Sequence, residues 1–256
     1  WMRNESVDTV CDAVRTTCTA TYTVSDHDTD GAVSFAIYLV DVAGNPRAEL
    51  VSELSEGTRI QVDLTQPQLA VSIGSPSGRL VGLSGLVVLS FNSTEPLDPS
   101  GFAVTIANAD VEAVCDEKAL VCEANSVLRE ATPSGRITFS IMYRDVAQNR
   151  GPVVIASTDG SYLDADVQAP SLNEITTTTS SSATANAVGV GRQVIVRFSV
   201  SERLRLDSTI TIAGDSNITL RCDANRIRCT GTYTVTPDSI EGPVAIAIFL
   251  VDMSGN

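Results

Sequence analysis

The sequence predicts an all-β fold, a tandem row of β-sandwich domains with about seven short strands each. Three observations predict it. One segment appears three times, apolar residues alternate with period two inside every copy, and no convincing amphipathic helix can be traced.

The repeated segment is a Cys, six residues, a second Cys, then a Gly, an alternating apolar run and an Asp-x-x-x-Asn turn. Copies begin at Cys11, Cys115 and Cys222, offset by 104 and 107 residues, and these offsets hold without a gap to Asn45, Asn149 and Asn256. A unit of about a hundred residues has the size of a whole small domain and exceeds any solenoid repeat. Upstream, Val87, Leu89, Phe91, Glu95 and Leu97 match Val194, Val196, Phe198, Glu202 and Leu204. Gly57, Asp63 and Pro67 match Gly160, Asp166 and Pro170 at offset 103. The expected domains are residues 1–66, the C-terminal part of a first copy; 67–169, a complete second copy; and 170–256, a third copy lacking its last strand. Such limits are expected of a window on a longer polypeptide.

The strands follow in order. In the first copy Val33, Phe35, Ile37 and Leu39 mark a strand with one core face; branched and aromatic residues at period two fit a pleated, half-buried surface. In the second, strands are expected near 68–73, 86–92, 102–107, 110–115, 120–128 and 152–158, with Ile137, Phe139, Ile141 and Tyr143 on another. In the third, they fall at 193–200 and along Val244, Ile246, Ile248 and Leu250. Gly31, Gly135 and Gly242 precede the last strands, in turns rich in Asp, Pro and Ser. Seven short strands per hundred residues make a sandwich.

Composition narrows the function. The chain has 256 residues, 43% of them hydrophobic, so it can bury a core. A formal charge of −14 argues against nucleic acid as a partner, because that binding needs clustered Lys and Arg. No run of 18 apolar residues exists, so no membrane span is expected in this segment.

The six cysteines fall as three C-x6-C pairs. A zinc site would want C-x2-C spacing and histidine, and His27 is the sole histidine. Local disulfides Cys11–Cys18, Cys115–Cys122 and Cys222–Cys229 are therefore expected, which implies an oxidising, extracellular location. Free buried thiols are the alternative, and they leave the recurrence of both cysteines unexplained. Sequons at Asn4, Asn92 and Asn217 agree with export and imply N-linked glycans.

Several residues stand out as possible sites. Asp41, opening the first Asp-x-x-x-Asn turn, could hold calcium with Glu95 or Asp63; the equivalent set is Asp145, Glu202 and Asp166. The alternative is a plain turn, in which Asp and Asn bond their own backbone. Asp26–Asp30, with His27, reads as a solvated loop because the other copies do not preserve it. Thr176–Ser182 is either an O-glycosylated run or a polar first strand and its turn. No catalytic constellation is found: Gly74-Ser75-Pro76-Ser77-Gly78 carries Pro where a nucleophile would stand. A non-catalytic protein with no obligatory cofactor is expected.

Val194-x-Val196-x-Phe198, Ser201-Glu202-x-Leu204, Thr211–Gly214, Thr230–Val235 and Asp252-x-x-Gly255-Asn256 together resemble the bacterial-type Ig-like repeats of giant extracellular adhesins and surface proteins. The resemblance covers almost the whole chain. It implies tandem Ig-like sandwiches forming a long extracellular filament or cell-surface stalk, with neighbouring copies or other surface proteins as partners. The alternative it implies is an adhesin module that grips glycan or protein through loops at the sandwich end. The cysteine pair departs from most bacterial copies and points to a eukaryotic, secreted version such as the flagellar-hair (mastigoneme) proteins of algae.

Overall fold

A computed structural model describes residues 6–47, 51–53, 57, 59–180 and 187–256. The described residues form strands, turns and bends, with no helix.

The second copy is built around the strand Leu86–Ser93, whose burial alternates along its length. Val87, Leu89 and Phe91 point inward and are at most 1% exposed. Each such side chain stabilises the fold by roughly 1.5–3 kcal/mol through the apolar area it removes from water. This strand pairs antiparallel with Leu69–Gly74 on one side and Val121–Val127 on the other, and Ala113–Cys115 completes a four-stranded sheet. A second layer places Ala103–Ile106 between Ala109–Val111 and Phe139–Met142. Gly135–Arg136, Asp164–Ala165 and Leu80–Val81 form a third, smaller sheet, in which the last two strands run parallel. Inward residues of all three sheets meet in one core, a β-sandwich packing.

The third copy repeats the plan. Gln193–Val200 lies between Leu172–Thr179 and Arg228–Thr234, which also pairs with Arg221–Cys222. Thr209–Ile212 pairs with Ile246–Phe249. Val196, Phe198, Leu204, Ile210 and Ile212 centre a separate core. Thr176–Thr179 belong to the strand Leu172–Thr179, as the strand reading of that run expects, whereas Ser181 and Ser182 lie outside the described residues.

All three cysteine pairs are disulfide-bonded, and each joins directly opposed residues of neighbouring antiparallel strands. The aspartate after the first cysteine closes each hairpin. Asp116 Oδ1 accepts hydrogen bonds from the N–H groups of Leu120 and Val121 at 2.8 and 3.1 Å; Asp12 and Asp223 do the same in their copies. These bonds hold the Asp116 carboxyl below the usual carboxylate range. The loop needs one left-handed residue, supplied by Arg15, Ala119 and Arg226 at φ of 56°, 53° and 55°.

Three expected strands come out differently. Residues 33–39 form no strand; Ile37 makes one bridge to Val51. In the second copy the matching strand Phe139–Met142 pairs with Ala103–Ile106, and that partner has no counterpart within the first copy's residues. Residues 152–158 also form no strand. Pro152 lacks an N–H, Val153 and Ile155 face solvent, and Val154 alone bridges to Ile141. The strand expected at 110–115 is broken at Glu112 into two short pieces that serve different sheets.

Replacing Cys115 and Cys122 together by Ala should lower unfolding stability by about 2.5 kcal/mol, the chain-entropy value for so short a loop. Chemical denaturation of the full chain, followed at the second copy's transition, measures it.

Candidate cation sites at the repeat joints

Two groups of three carboxylates recur at matching places. Asp63, Glu95 and Asp145 form one, and Asp166, Glu202 and Asp252 form the other; within each group one carboxylate oxygen per residue lies within 4.8 Å of the others. Each group joins three segments of one architecture: a linker (Asp63, Asp166), the segment after the central strand (Glu95, Glu202), and the Asp-x-x-x-Asn turn (Asp145, Asp252).

Backbone pairing brings the segments together. Single antiparallel bridges, Leu97 to Asp145 and Leu204 to Asp252, lay the segment after the central strand against the turn. Glu95 and Glu202 stand two residues before the bridged leucines. The turn binds itself: Asp145 Oδ1 accepts from the Asn149 N–H at 2.8 Å, and Oδ2 accepts from the Asn149 amide at 2.9 Å. Asp252 Oδ1 accepts from the N–H groups of Ser254, Gly255 and Asn256 at 2.7–2.9 Å. The same Asn then reaches the linker. Asn149 Nδ2 donates to the Asp63 carbonyl at 3.0 Å, and Asn256 Nδ2 to the Asp166 carbonyl at 2.7 Å.

The second turn has Gln148 where the others have Gly44 and Gly255, all three at positive φ. Its side chain offsets the strain by donating to Asp98 Oδ2 at 3.2 Å. Asp98 is drawn down to about 2 by the Ser100 N–H and hydroxyl, by Gln148 and by Arg144.

The electrostatics of both groups are unfavourable as they stand. Two unit charges about 4 Å apart repel by about 4 kcal/mol at an effective dielectric constant of about 20. No ion pair among the described residues joins a basic side chain to any of the six. Burial pushes the Glu95 carboxyl up, and the charges of Asp63, Asp145 and Asp30 add to it. Burial raises Glu202 likewise, with Asp166 and Asp252 adding. Burial also opposes the charge on Asp252, but the bonds from Ser254, Asn256 and Gly255 outweigh it and hold that carboxyl low. Asp145 and Asp252 are wholly buried, and Glu95 Oε1 is buried without a hydrogen-bond partner. An orphaned buried carboxylate oxygen beside two further carboxylates fits a hard divalent cation, for which an all-oxygen set suits calcium.

The expected grouping was off by one copy. Asp41 belongs to neither group; its Oδ1 accepts from the N–H groups of Ala43 and Asn45 in an exposed turn. Asp145 meets Asp63 and Glu95, and it is Asp252 that meets Asp166 and Glu202. The reason is the asparagine, which ties each turn to the linker entering its own copy. Asp252 was missed as a site residue, although the 107-residue offset that carries Glu95 to Glu202 also carries Asp145 to Asp252.

The loop 26–30 is less solvated than expected. Asp28 is buried and accepts from the Tyr22 hydroxyl at 2.6 Å and the Ser25 N–H at 2.8 Å. Asp30 accepts from the Leu64 N–H at 2.7 Å and from the Thr65 hydroxyl, gripping the first linker. Asn92 is exposed in the strand Leu86–Ser93, Asn217 is exposed beside Asp215, and Asn4 lies outside the described residues.

Glu95→Gln removes one of the repelling charges. In a calcium-free buffer it should raise the melting temperature of the second copy, and if the group holds calcium it should shrink the stabilisation on adding that ion; differential scanning calorimetry with and without chelator reads both. Asp98 makes a separate acid-range prediction. Its folded value, about 2, lies below the ordinary 3.8, so its contribution is present above about pH 4 and is lost as pH falls toward 2. Carboxyl chemical shifts followed down that range should show Asp98 titrating last among its neighbours.

No protein-family model and no curated protein matches this chain.

Proposed function

We propose that this chain is a structural stretch of a long extracellular filament or cell-surface stalk. It consists of tandem Ig-like β-sandwiches, with domains at 1–66, 67–169 and 170–256, and is non-catalytic. Calcium at each joint holds successive copies at a fixed angle. The observation that carries this reading is the recurrence of the three-carboxylate group at both joints, with the linker residue a member each time. A cation bound there ties the linker to two segments of the copy it enters, so the joint loses its freedom to bend. Supporting it, the linkers end at Pro67 and Pro170, which restrict the chain at matching places. Tyr143 adds a further tie by donating its hydroxyl to the Pro67 carbonyl at 3.2 Å. The three disulfides support export, and among the described residues no helix is long and apolar enough to cross a membrane. Extracellular fluids supply calcium at the concentrations that weak, carboxylate-based modules need.

An adhesive module is the second reading, favoured by one observation. Arg79 and Arg136 stack on the Tyr162 ring, 3.7 and 3.6 Å from its centre, and among the described residues share Asp164 as their acidic partner. The corresponding positions of the other copies lack these residues. In an acidic chain, two half-exposed guanidinium groups suit an anionic glycan or acidic peptide.

Small-angle scattering on dilute full chain separates the readings. Calcium should narrow the distribution of maximum dimensions, and chelator should broaden it. At free calcium one hundred times its dissociation constant, each site should also add about 2.7 kcal/mol of stability. A broad distribution that calcium leaves unchanged overturns the stiff-array reading.

A further inference from the structure

The second and third copies meet at Asp166. Its N–H donates to the Val81 carbonyl at 2.9 Å, continuing the parallel pairing of Leu80–Val81 with Asp164–Ala165 inside the second copy. Its carbonyl accepts from Asn256 Nδ2 of the third copy at 2.7 Å, and the Gln168 carbonyl accepts from the same amide at 3.1 Å. One residue is thus bonded into both sandwiches.

Beside that residue the two copies touch directly. Leu83 N–H donates to Asn256 Oδ1 at 2.7 Å. Its neighbours bond within the second copy: Ser84 N–H donates to the Leu128 carbonyl and Gly85 N–H to the Gly82 carbonyl, both at 3.0 Å. Leu83 therefore offers its N–H to the third copy from a loop that its own sandwich holds. Gly82 is buried, and a Cβ there would lie 2.4 Å from the Ser254 carbonyl oxygen and 3.1 Å from Asn256 Oδ1. Gly82 does not have a positive φ, so the position needs glycine for its missing side chain.

The turn Asp252–Asn256 has two sides. The Ser254 carbonyl and Asn256 Oδ1 meet the second copy. The Asp252 carboxylate is wholly buried and belongs to the group with Asp166 and Glu202. Hydrogen bonds join the two sides: Oδ1 of Asp252 holds the N–H groups of Ser254 and Asn256, and Oδ2 accepts from Asn256 Nδ2 at 3.0 Å. A shift of the carboxylate therefore shifts the contact.

We propose that the Gly82–Leu83 loop is the docking face by which the second copy grips the third, and that docking and cation binding reinforce each other through the Asp252–Asn256 turn. This inference rests on the array reading and names the surface through which one unit recognises the next. Without an ion, repulsion among Asp166, Glu202 and Asp252 pushes against the turn. A divalent cation cancels that push and leaves the turn seated on Leu83 and Gly82. The link is reciprocal, so a lost contact weakens the cation by the factor that the cation strengthens the contact.

Amide hydrogen exchange on the full chain, with calcium and with chelator, tests it. Leu83 is 41% exposed, yet in calcium its N–H should exchange roughly five- to tenfold more slowly than an unbonded surface amide. Chelator should speed it by about fivefold. Gly82→Val pushes the turn away and should return Leu83 to the surface rate in both buffers. Ser84 and Gly85 should stay protected in that variant, which separates a lost contact from a misfolded loop. Should valine unfold the loop, Gly82→Ala carries the same clash with less bulk, and the wild-type rate decides by itself. Surface-rate exchange of Leu83 in wild type with calcium overturns the docking face, as does a rate that a folded Gly82 variant leaves unaltered. If scattering responds to calcium and Leu83 does not, the link between ion and contact is overturned. If neither responds while Leu83 stays protected, calcium at the joints falls and the docking face stands.

Discussion

The joints depend on one side chain, the asparagine that ends each Asp-x-x-x-Asn turn. Its amide donates inward to the aspartate that opens the turn and outward to a carbonyl of the linker. A single amide group thereby fixes where the linker runs relative to the sandwich it enters. The carboxylate group exists because of that fixation. Without the asparagine bond, Asp63 and Asp166 would each lose a tie that keeps them beside two charges of their own sign. The turn spends its hydrogen-bonding capacity on holding like charges together, a placement that stability alone does not favour.

The cysteine hairpin plays the complementary role inside each copy. Cys122 and Cys229 are each 2% exposed and sit within the apolar cores, while the aspartate beside their partners caps the loop outside. In the first copy the same hairpin is wholly exposed, yet it keeps the same register and the same Asp cap. The register and the capping carboxylate thus recur with the hairpin's own residues in all three copies.

Much of this was legible in the sequence because the repeat supplies its own alignment. Period-two runs such as Val194–Phe198 name both the strand and its buried face, and the C-x6-C spacing names the staple. The joint was half legible. Comparing copies picked out Asp63, Glu95 and Asp145 as residue types, but sequence distance suggested the wrong turn for each linker. Which end of a sandwich a turn occupies depends on non-local pairing, here the bridges at Leu97 and Leu204, and periodicity carries no information about that. Asp30 was illegible for a different reason. Its counterparts are Ser134 and Glu241, so its grip on Leu64 and Thr65 belongs to one joint and leaves no repeated trace.

The parallel pairing of Leu80–Val81 with Asp164–Ala165 has a mechanical consequence. One strand lies near the start of the second copy and the other near its end, and they are linked by the Asp164 N–H to Arg79 and the Asp166 N–H to Val81, both at 2.9 Å. A pull applied at the two ends of that copy draws these strands in opposite directions along their own axes. Their bonds are then loaded side by side and must fail together, whereas an antiparallel hairpin pulled from its open end would unzip one bond at a time. The domain is thus braced against stretching by a few hydrogen bonds placed where the load enters and leaves.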